Sequence, residues 1–488
     1  MLFQKLLKMR RANNMKKILS IILIIAGLSS CLVGPKYERP QMKANTAYSG
    51  GDSSVAVSTI VLDSSAYKDS VALIGWTEVY KDPVLTSLIK TVLSNNLDLL
   101  TAISRVEEAR AIYGISKSEL YPSFGYNLKA GYNDIGDNAQ KVGAGVNGQS
   151  YSGYATMNWE IDLFGKLRHQ KRSAWAQFLA TENNAQAVRV SLIAETATQY
   201  FLLRDADNRL AIANKTVQAR TESLKIISER FSKGYVSELD KLQAQQQLAI
   251  AQAAVPNAER SVIITQNALR VLTGLTPGLV ERGNSMYDQQ LPPEIPAGIP
   301  SDLLLRRPDI IAAEQTLISQ TEEIGVATAM RFPSISLTGF LGTATPDLAT
   351  IVDPASLALG VGGSIFGPIF EFGKNKRRVE AQRYKADQYS YQYQKTVLNA
   401  FAEVDNSLAS LRLNKQEYQA YKSALEAASK AYSLTEARYY DGYTNYLELL
   451  IQQDNLFAAE FNESTAQTQQ NIAVVNLFKA LGGGWDAK

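Results

Sequence analysis

Short markers recur along this chain at a nearly constant spacing, and a duplicated unit constrains its fold more than any other feature. Phe164-Gly165-Lys166 returns as Phe372-Gly373-Lys374, 208 residues on. Arg230, Gly234, Tyr235 and Leu239 return as Arg438, Gly442, Tyr443 and Leu447 at the same offset. Tyr121-Pro122-Ser123 returns as Phe332-Pro333-Ser334, 211 residues on. Between the Phe-Gly-Lys marker and the Arg…Gly-Tyr marker the two copies have the same length, as a repeated structural unit requires.

Each copy contains two alternating segments separated by a polar loop with glycine. From Tyr151 to Leu163 the odd positions are Tyr, Gly, Ala, Met, Trp, Ile and Leu, and the even ones are Ser152, Tyr154, Thr156, Asn158, Glu160 and Asp162. Phe124, Tyr126, Leu128, Ala130 and Tyr132 alternate likewise with Ser123, Gly125, Asn127, Lys129 and Gly131. In the second copy Ile335, Leu337 and Leu341 alternate with Ser334, Ser336 and Thr338, and Leu357 to Phe366 is rich in glycine. Period 2 with one greasy and one wet face suits a membrane barrel strand, and equally a soluble sandwich. Beyond the first 30 residues no stretch is apolar enough for a transmembrane helix, so a crossing has to use strands. Four strands fall short of the roughly eight that enclose a pore. Either other chains complete the sheet or it is no barrel.

The rest reads as long helix. Leu167 to Ser232 is 66 residues without proline or glycine, about 100 Å if helical throughout. Leu203, Ala206, Leu210, Ala213, Val217, Arg220, Leu224, Ile227 and Phe231 step by three and four, as do Val397, Phe401, Val404, Leu408 and Leu411. That is coiled-coil spacing, which an ordinary helical bundle shares. A turn at Lys233-Gly234-Tyr235 leads into a returning helix from Ser237 to Leu272, and Val84 to Leu120 reads as one helix before the strands. Together these two match the long helix in length, so they are expected end to end along it. Pro256 is expected to kink or divide the returning helix, and Pro308 to open another.

The N-terminus reads as an export leader. Met15-Lys16-Lys17 is basic, with Met1–Asn14 an extended basic region or an upstream start. Ile18 to Leu28 is an apolar core of eleven residues, too short for the ~20 that span a bilayer. It ends in Leu28-Ser29-Ser30-Cys31, which resembles a bacterial lipobox and brings the only cysteine to the position where lipid attaches. Cys31 would carry a diacylglycerol and an N-acyl chain as the mature N-terminus, and no other cofactor is expected.

Residues 1–30 hold six of the 50 basic residues and no acid, leaving 44 Lys and Arg against 47 Asp and Glu, near −3. The basicity thus belongs to the leader, and a nucleic-acid partner loses its electrostatic support. With one cysteine and one histidine the chain cannot build a thiolate or imidazole metal cluster alone. Gly143-Ala-Gly145-Val-Asn-Gly148 matches a dinucleotide pattern, but no helix opens behind it to hold phosphate. The Gly-Lys pairs at 165–166 and 373–374 lack the rest of a P-loop and mark strand-to-helix bends. His169, just past one bend, reads as an interfacial or wall residue. No nucleophile–base pair stands out, so no enzyme is expected.

Cys31-Leu-Val-Gly-Pro-Lys-Tyr-Glu-Arg-Pro40 resembles the mature start of the TolC-like, NodT-type outer-membrane efflux lipoproteins. So do Trp76…Tyr80-Lys-Asp82-Pro83-Val-Leu85…Leu88-Ile89 and Asn95-Asn96-Leu-Asp98-Leu. Pro300-Ser301-Asp302-Leu-Leu-Leu-Arg306-Arg307-Pro308-Asp309-Ile310, continuing to Ala313-Glu314, is similar to the family's central signature, with Leu305 where a charge is frequent. The resemblance implies a mostly α fold with a small membrane β part. Two tandem repeats would each give two barrel strands and long coiled-coil helices. A trimer would form a twelve-stranded barrel continued by an α-helical periplasmic tunnel.

It also implies an outer-membrane channel of a tripartite RND-type pump, exporting drugs, metals or other small toxic compounds. Its partners would be a periplasmic membrane-fusion adaptor, an inner-membrane RND transporter and outer-membrane lipid. A type I protein-secretion duct and a non-conducting envelope scaffold are the alternatives. The chain then divides into a signal peptide (1–30), an anchored segment (31–75), a first repeat (76–275, strands about 123–134 and 151–164) and a linker (276–300). A second repeat follows (301–483, strands about 334–343 and 357–370), with a tail at 484–488. Arg230, Gly234 and Tyr235, with Arg438, Tyr439, Asp441, Gly442 and Tyr443, are the expected periplasmic tips, gate and adaptor contact. Asp240 and Glu448 are candidates for a threefold acidic ring at the aperture.

Overall fold

A computed structural model describes residues 32–40, 75–134, 148–289 and 306–483. Cys31 and its leader, most of the glycine pattern at 143–148, the end of the linker and the start of the central signature lie outside the described residues. The elements in order are α1 (Trp76–Val79), α2 (Pro83–Asn95), α3 (Leu97–Ser118), β1 (Ser123–Asn133), β2 (Gly148–Ile161), α4 (Lys166–Ser232) and α5 (Glu238–Leu272). They continue with α6 (Pro308–Ala329), β3 (Ser334–Thr345), β4 (Leu357–Phe366), α7 (Lys374–Tyr440) and α8 (Tyr446–Ala480). The copies match closely: α4 and α7 each have 67 residues, α5 and α8 each 35, α3 and α6 each 22.

The chain forms two compact units. One includes Arg105–Thr181 and Ala313–Tyr393 and holds a single antiparallel sheet in the order β1-β2-β3-β4. Register keeps the faces separate, pairing Tyr126 with Ala155, Trp159 with Leu337 and Leu341 with Leu359 on the apolar side. Ser123 pairs with Asn158, and Glu160 with Ser336, on the polar side. Phe124, Tyr126, Leu359, Val361 and Ile365 are all exposed, an arrangement that water alone would penalise. Among the described residues no helix is long and apolar enough to cross a membrane.

Strand ends differ from expectation for local reasons. β2 stops at Ile161 rather than about 164, because the Asp162 carboxylate accepts from Leu167 N (3.2 Å) and Arg168 N (2.9 Å) and so begins α4. Gly165 between them has φ +84°, and Gly373 before α7 has φ +81°, as the two bends require. β4 stops at Phe366 rather than about 370, since Pro368 has no N–H for a ladder. β2 begins at Gly148, opposite Asn133, and β3 runs on to Thr345, opposite Tyr151.

The second unit includes Glu182–Ala312 and the chain from Gln394 onward. Its seam follows the heptads, with Leu203, Ala206, Ala213, Ile227, Val397 and Val404 buried. Arg220 occupies a seam position and is 4% exposed, bonded to Asp454 Oδ1 at 2.6 Å and to Gln453. Pro256 does not divide its helix, which runs unbroken through Glu238–Leu272. One lost hydrogen bond is absorbed because buried residues on both sides, Ala244 and Ala251 before it and Gln266 and Leu269 after it, hold the helix in place.

The helix expected over Val84–Leu120 is instead two, broken at Asn96. Asn96 Oδ1 accepts from Asp98 N and Leu99 N, both at 3.0 Å, and so caps α3. Its Nδ2 donates to Leu272 O (2.9 Å), the last residue of α5. Val92, Leu99 and Leu192 pack at this junction with Val188 and Leu272 beside them, so the short helices do meet end to end along the long one.

Candidate functional site

The helix turns have the same geometry in both copies. Tyr235 N donates to Arg230 O (2.9 Å) and Gly234 N to Phe231 O (2.9 Å); Tyr443 N donates to Arg438 O (2.8 Å) and Gly442 N to Tyr439 O (3.1 Å). These paired bonds close a helix on a left-handed residue, and Gly234 (φ +77°) and Gly442 (φ +81°) supply it without a side-chain penalty. Arg230 and Arg438 therefore serve the turn through their carbonyls as well as their charge. Ser237 and Asn445 cap the helices that follow, accepting from Asp240 N and Glu448 N.

The side chains of the two turns have separate surroundings. Arg230 lies 4.9 Å from the Tyr439 ring centroid and donates to Tyr440 O (3.5 Å), tying the first turn to the second. Tyr439 is buried with Ile227, Ala244, Tyr446 and Leu449, and its hydroxyl has no hydrogen-bond partner among the described residues. Arg438, Asp441, Tyr235 and Tyr443 are exposed. Of the two turn arginines it is thus Arg230, from the first copy, that lies over the tyrosine ring. Asp240 and Glu448 are held locally: Asp240 Oδ2 accepts from Ser237 N (3.0 Å) and Oγ (2.8 Å), and Glu448 accepts from Thr444 Oγ1. Both carboxylates stabilise a helix start where the dipole favours negative charge.

The helix joints were missed as a pair in the sequence. In the second copy Arg307 stands where Asn96 stands in the first, 211 residues on, and Arg307 Nη1 donates to Ala480 O (2.9 Å), the counterpart of Leu272 O. Its other nitrogens reach Asp309 (3.0 and 2.7 Å) and Glu403 (2.7 Å). The segments Asn95-Asn96-Leu-Asp98-Leu and Arg306-Arg307-Pro-Asp309-Ile are therefore one joint written twice. The 211 offset of Tyr121 and Phe332 would have aligned them.

Asp82, also in a motif-bearing stretch, is 1% exposed and accepts five hydrogen bonds. They come from Val84 N (2.9 Å), Leu85 N (3.3 Å), Tyr200 Oη (2.8 Å), Asn284 N (2.9 Å) and Gln289 Nε2 (2.9 Å). Burial alone would raise its pKa, but the donors, Gln289 and Tyr200 foremost, outweigh burial and hold it below the ordinary carboxylate value. The segment just after Cys31 lies in the sheet-bearing unit. Arg39 and Tyr37 both bond the Glu314 carboxylate (2.6 to 2.9 Å), and His169 is buried between Glu322 Oε2 (2.5 Å) and Val33 O (3.1 Å). Among the described residues no group of His, Cys, Asp or Glu could hold a metal.

A four-stranded sheet with a greasy and a wet face, joined in each copy to a 67-residue helix that turns back on a glycine, defines a subunit of a membrane duct. Residues 88–275 and 299–483 match the model of the outer membrane efflux protein family, and the chain belongs to that family. It is 33% identical over 469 residues to the toluene efflux pump outer membrane protein TtgF of Pseudomonas putida, covering 96% of this chain and 97% of that one. Outer membrane protein OprJ of Pseudomonas aeruginosa is 32% identical over 477 residues, with 96% of each covered. The fold matches the Campylobacter jejuni CmeC outer membrane channel with a TM-score of 0.84 and 26% identity, over 93% of this chain and 96% of that one. The open state of the Neisseria gonorrhoeae MtrE channel matches at 0.83 and 28%, over 93% and 98%. The protein is an outer-membrane channel component of an efflux system and projects into the periplasm.

Proposed function

We propose that three copies close one twelve-stranded barrel and that each is anchored by lipid on Cys31. The duct serves a periplasmic adaptor and an inner-membrane RND transporter, and carries small toxic compounds, arenes among them, as the names of the toluene-pump relatives suggest. The sheet carries this reading. β1 and β4 each leave an outer edge unpaired among the described residues. In a bilayer each unsatisfied backbone group costs several kcal/mol, and pairing with neighbouring copies removes that cost. The turns at Gly234 and Gly442 form the resting aperture and the adaptor contact, with Arg438, Asp441, Tyr235 and Tyr443 presenting the exposed groups. Asp240 and Glu448 add negative charge there while capping their helices.

Native mass spectrometry of the detergent-purified protein should give a trimer whose mass includes the Cys31 lipids, and planar bilayers should show discrete conductance. A stable, non-conducting monomer would overturn the reading. Cys31→Ser should remove the lipid mass and reduce outer-membrane recovery.

A further inference from the structure

On the sheet's polar face three aromatic side chains break the pattern: Phe366 at the end of β4, opposite Ser334, and two that meet each other within the sheet. That face presents Ser123, Asn127, Lys129, Thr156, Asn158, Glu160, Ser334, Ser336 and Thr338, yet Tyr154 and Phe340 project from it as well. Their rings meet edge to face, centroids 5.3 Å apart at 70°. The Phe340 ring rests over a glycine, and Tyr154 has a glycine as its partner across the strands. Tyr154 is opposite Gly342, and Phe340 is opposite Gly360. A methyl group at Gly360 would overlap the Phe340 ring, and one at Gly342 would run into the β2 backbone at Gly153 and Tyr154. Gly360 thus clears the space in which the Phe340 ring lies low on the sheet, 43% exposed, while Gly342 lets the β2 backbone come close.

In a membrane barrel the apolar face meets lipid and the polar face lines the water-filled interior. An exposed phenylalanine there gains nothing from the bilayer. We propose that Tyr154 and Phe340 form an aromatic ledge inside the barrel, repeated threefold, which transiently binds ring-bearing solutes on their way out. This inference deepens the arene cargo proposed above and rests on the trimeric channel. An arene meets the ledge by the same offset or edge-to-face contact that the two rings make with each other. Shallow seating over glycine leaves the passage open, so binding delays a solute without blocking the duct. Lys129 and Glu160 are the charged strand residues on this face among those described, and Glu160 is paired with Lys166 at 2.6 Å. The ledge therefore selects by ring more than by charge.

The test compares two bulky monovalent cations, tetraphenylphosphonium and tetrabutylammonium, as blockers of the purified trimer in planar bilayers, added from the barrel side. One ring contact of this kind corresponds to about 2- to 10-fold in affinity. Wild type should be blocked more tightly by tetraphenylphosphonium by a factor in that range. Phe340→Leu and Tyr154→Leu, each first shown to migrate as trimer, should bring the ratio towards one with block by tetrabutylammonium unchanged. Loss of the preference in either variant supports the ledge. A wild-type ratio of one, or a ratio that survives both substitutions, overturns it. No conductance at all would instead overturn the channel on which it rests.

Discussion

In both copies of the repeat two helices meet end to end, yet the first copy closes the joint with an amide and the second with a buried guanidinium. Asn96 and Arg307 each donate to the last carbonyl of the returning helix, Leu272 O and Ala480 O. Asn96 also caps the next helix with its own oxygen. Arg307 cannot accept, and the corresponding position is opened by Pro308, which lacks an N–H to satisfy. The first copy has buried charge away from the joint, including the anion Asp82 at the start of α2. Duplication kept the joint and let its chemistry diverge: one copy closes it with a neutral amide, the other with a guanidinium that stays charged.

The largest effect should follow from removing Asp82. Asp82→Ala strands buried donors on Val84, Leu85 and Asn284 and is expected to cost about 3 to 5 kcal/mol. Thermal melts by far-UV circular dichroism would show it. The wild-type pH profile sharpens the point. Because the folded-state pKa of Asp82 lies below its unfolded value, its contribution is present above the unfolded pKa of about 4 and is lost as pH falls through the folded pKa. Asp82→Asn should flatten that acid limb. If the limb is unchanged, Asp82 is not the anion that responds.

Next comes Arg307→Ala. The side chain is 9% exposed, but its partners Asp309 and Glu403 are 38% and 55% exposed, so screening discounts the ion pairs. What remains is the orphaned Ala480 carbonyl and lost packing, about 2 to 3 kcal/mol. Asn96→Ala should cost less, about 1 to 2 kcal/mol for a cap and one carbonyl bond. Added salt should narrow the gap between the two variants, since only Arg307 uses charge. A gap that salt leaves untouched would show that the ion pairs of Arg307 contribute nothing to it.

Much of this was legible in the residues. The offsets located both bends and both turns, because glycine at positive φ is a local requirement that a sequence states directly. Strand faces followed from period 2. The joint was not legible, because Asn95-Asn96 contains neither proline nor glycine and α3 and α2 are each good helix. The break is favoured by the Asn96 cap on α3 together with the carbonyl of Leu272, 176 residues away. Pro256 misled in the opposite direction: a proline states a local cost, and packing on both sides of it outweighed that cost. At the turns the different surroundings of the two arginines were not legible, since Arg230 and Arg438 look identical until the other copy of the repeat is in place.

The smallest effect on stability should come from the turns, and it separates those two arginines. Arg230 reaches into the second copy, over the Tyr439 ring and to Tyr440 O, while Arg438, at the equivalent position, has an exposed head. A partly exposed cation–ring contact is worth about 0.5 to 1 kcal/mol, so Arg230→Ala should lower stability by that much. Tyr439→Phe keeps the ring in its cluster and removes a hydroxyl with no hydrogen-bond partner among the described residues, so it should be close to neutral. Arg438→Ala breaks no side-chain hydrogen bond, ion pair or ring contact among the described residues and should leave the melt unchanged. Its expected effect is on conduction: an outward arginine repeated threefold at the aperture can bond a neighbouring copy, and its loss should raise single-channel conductance and admit vancomycin to cells. Arg230→Ala should loosen the turn without that rise. If instead Arg230→Ala opens the channel and Arg438→Ala does not, the resting closure runs through the staple inside each copy, and the equivalence of the two turns extends to function after all.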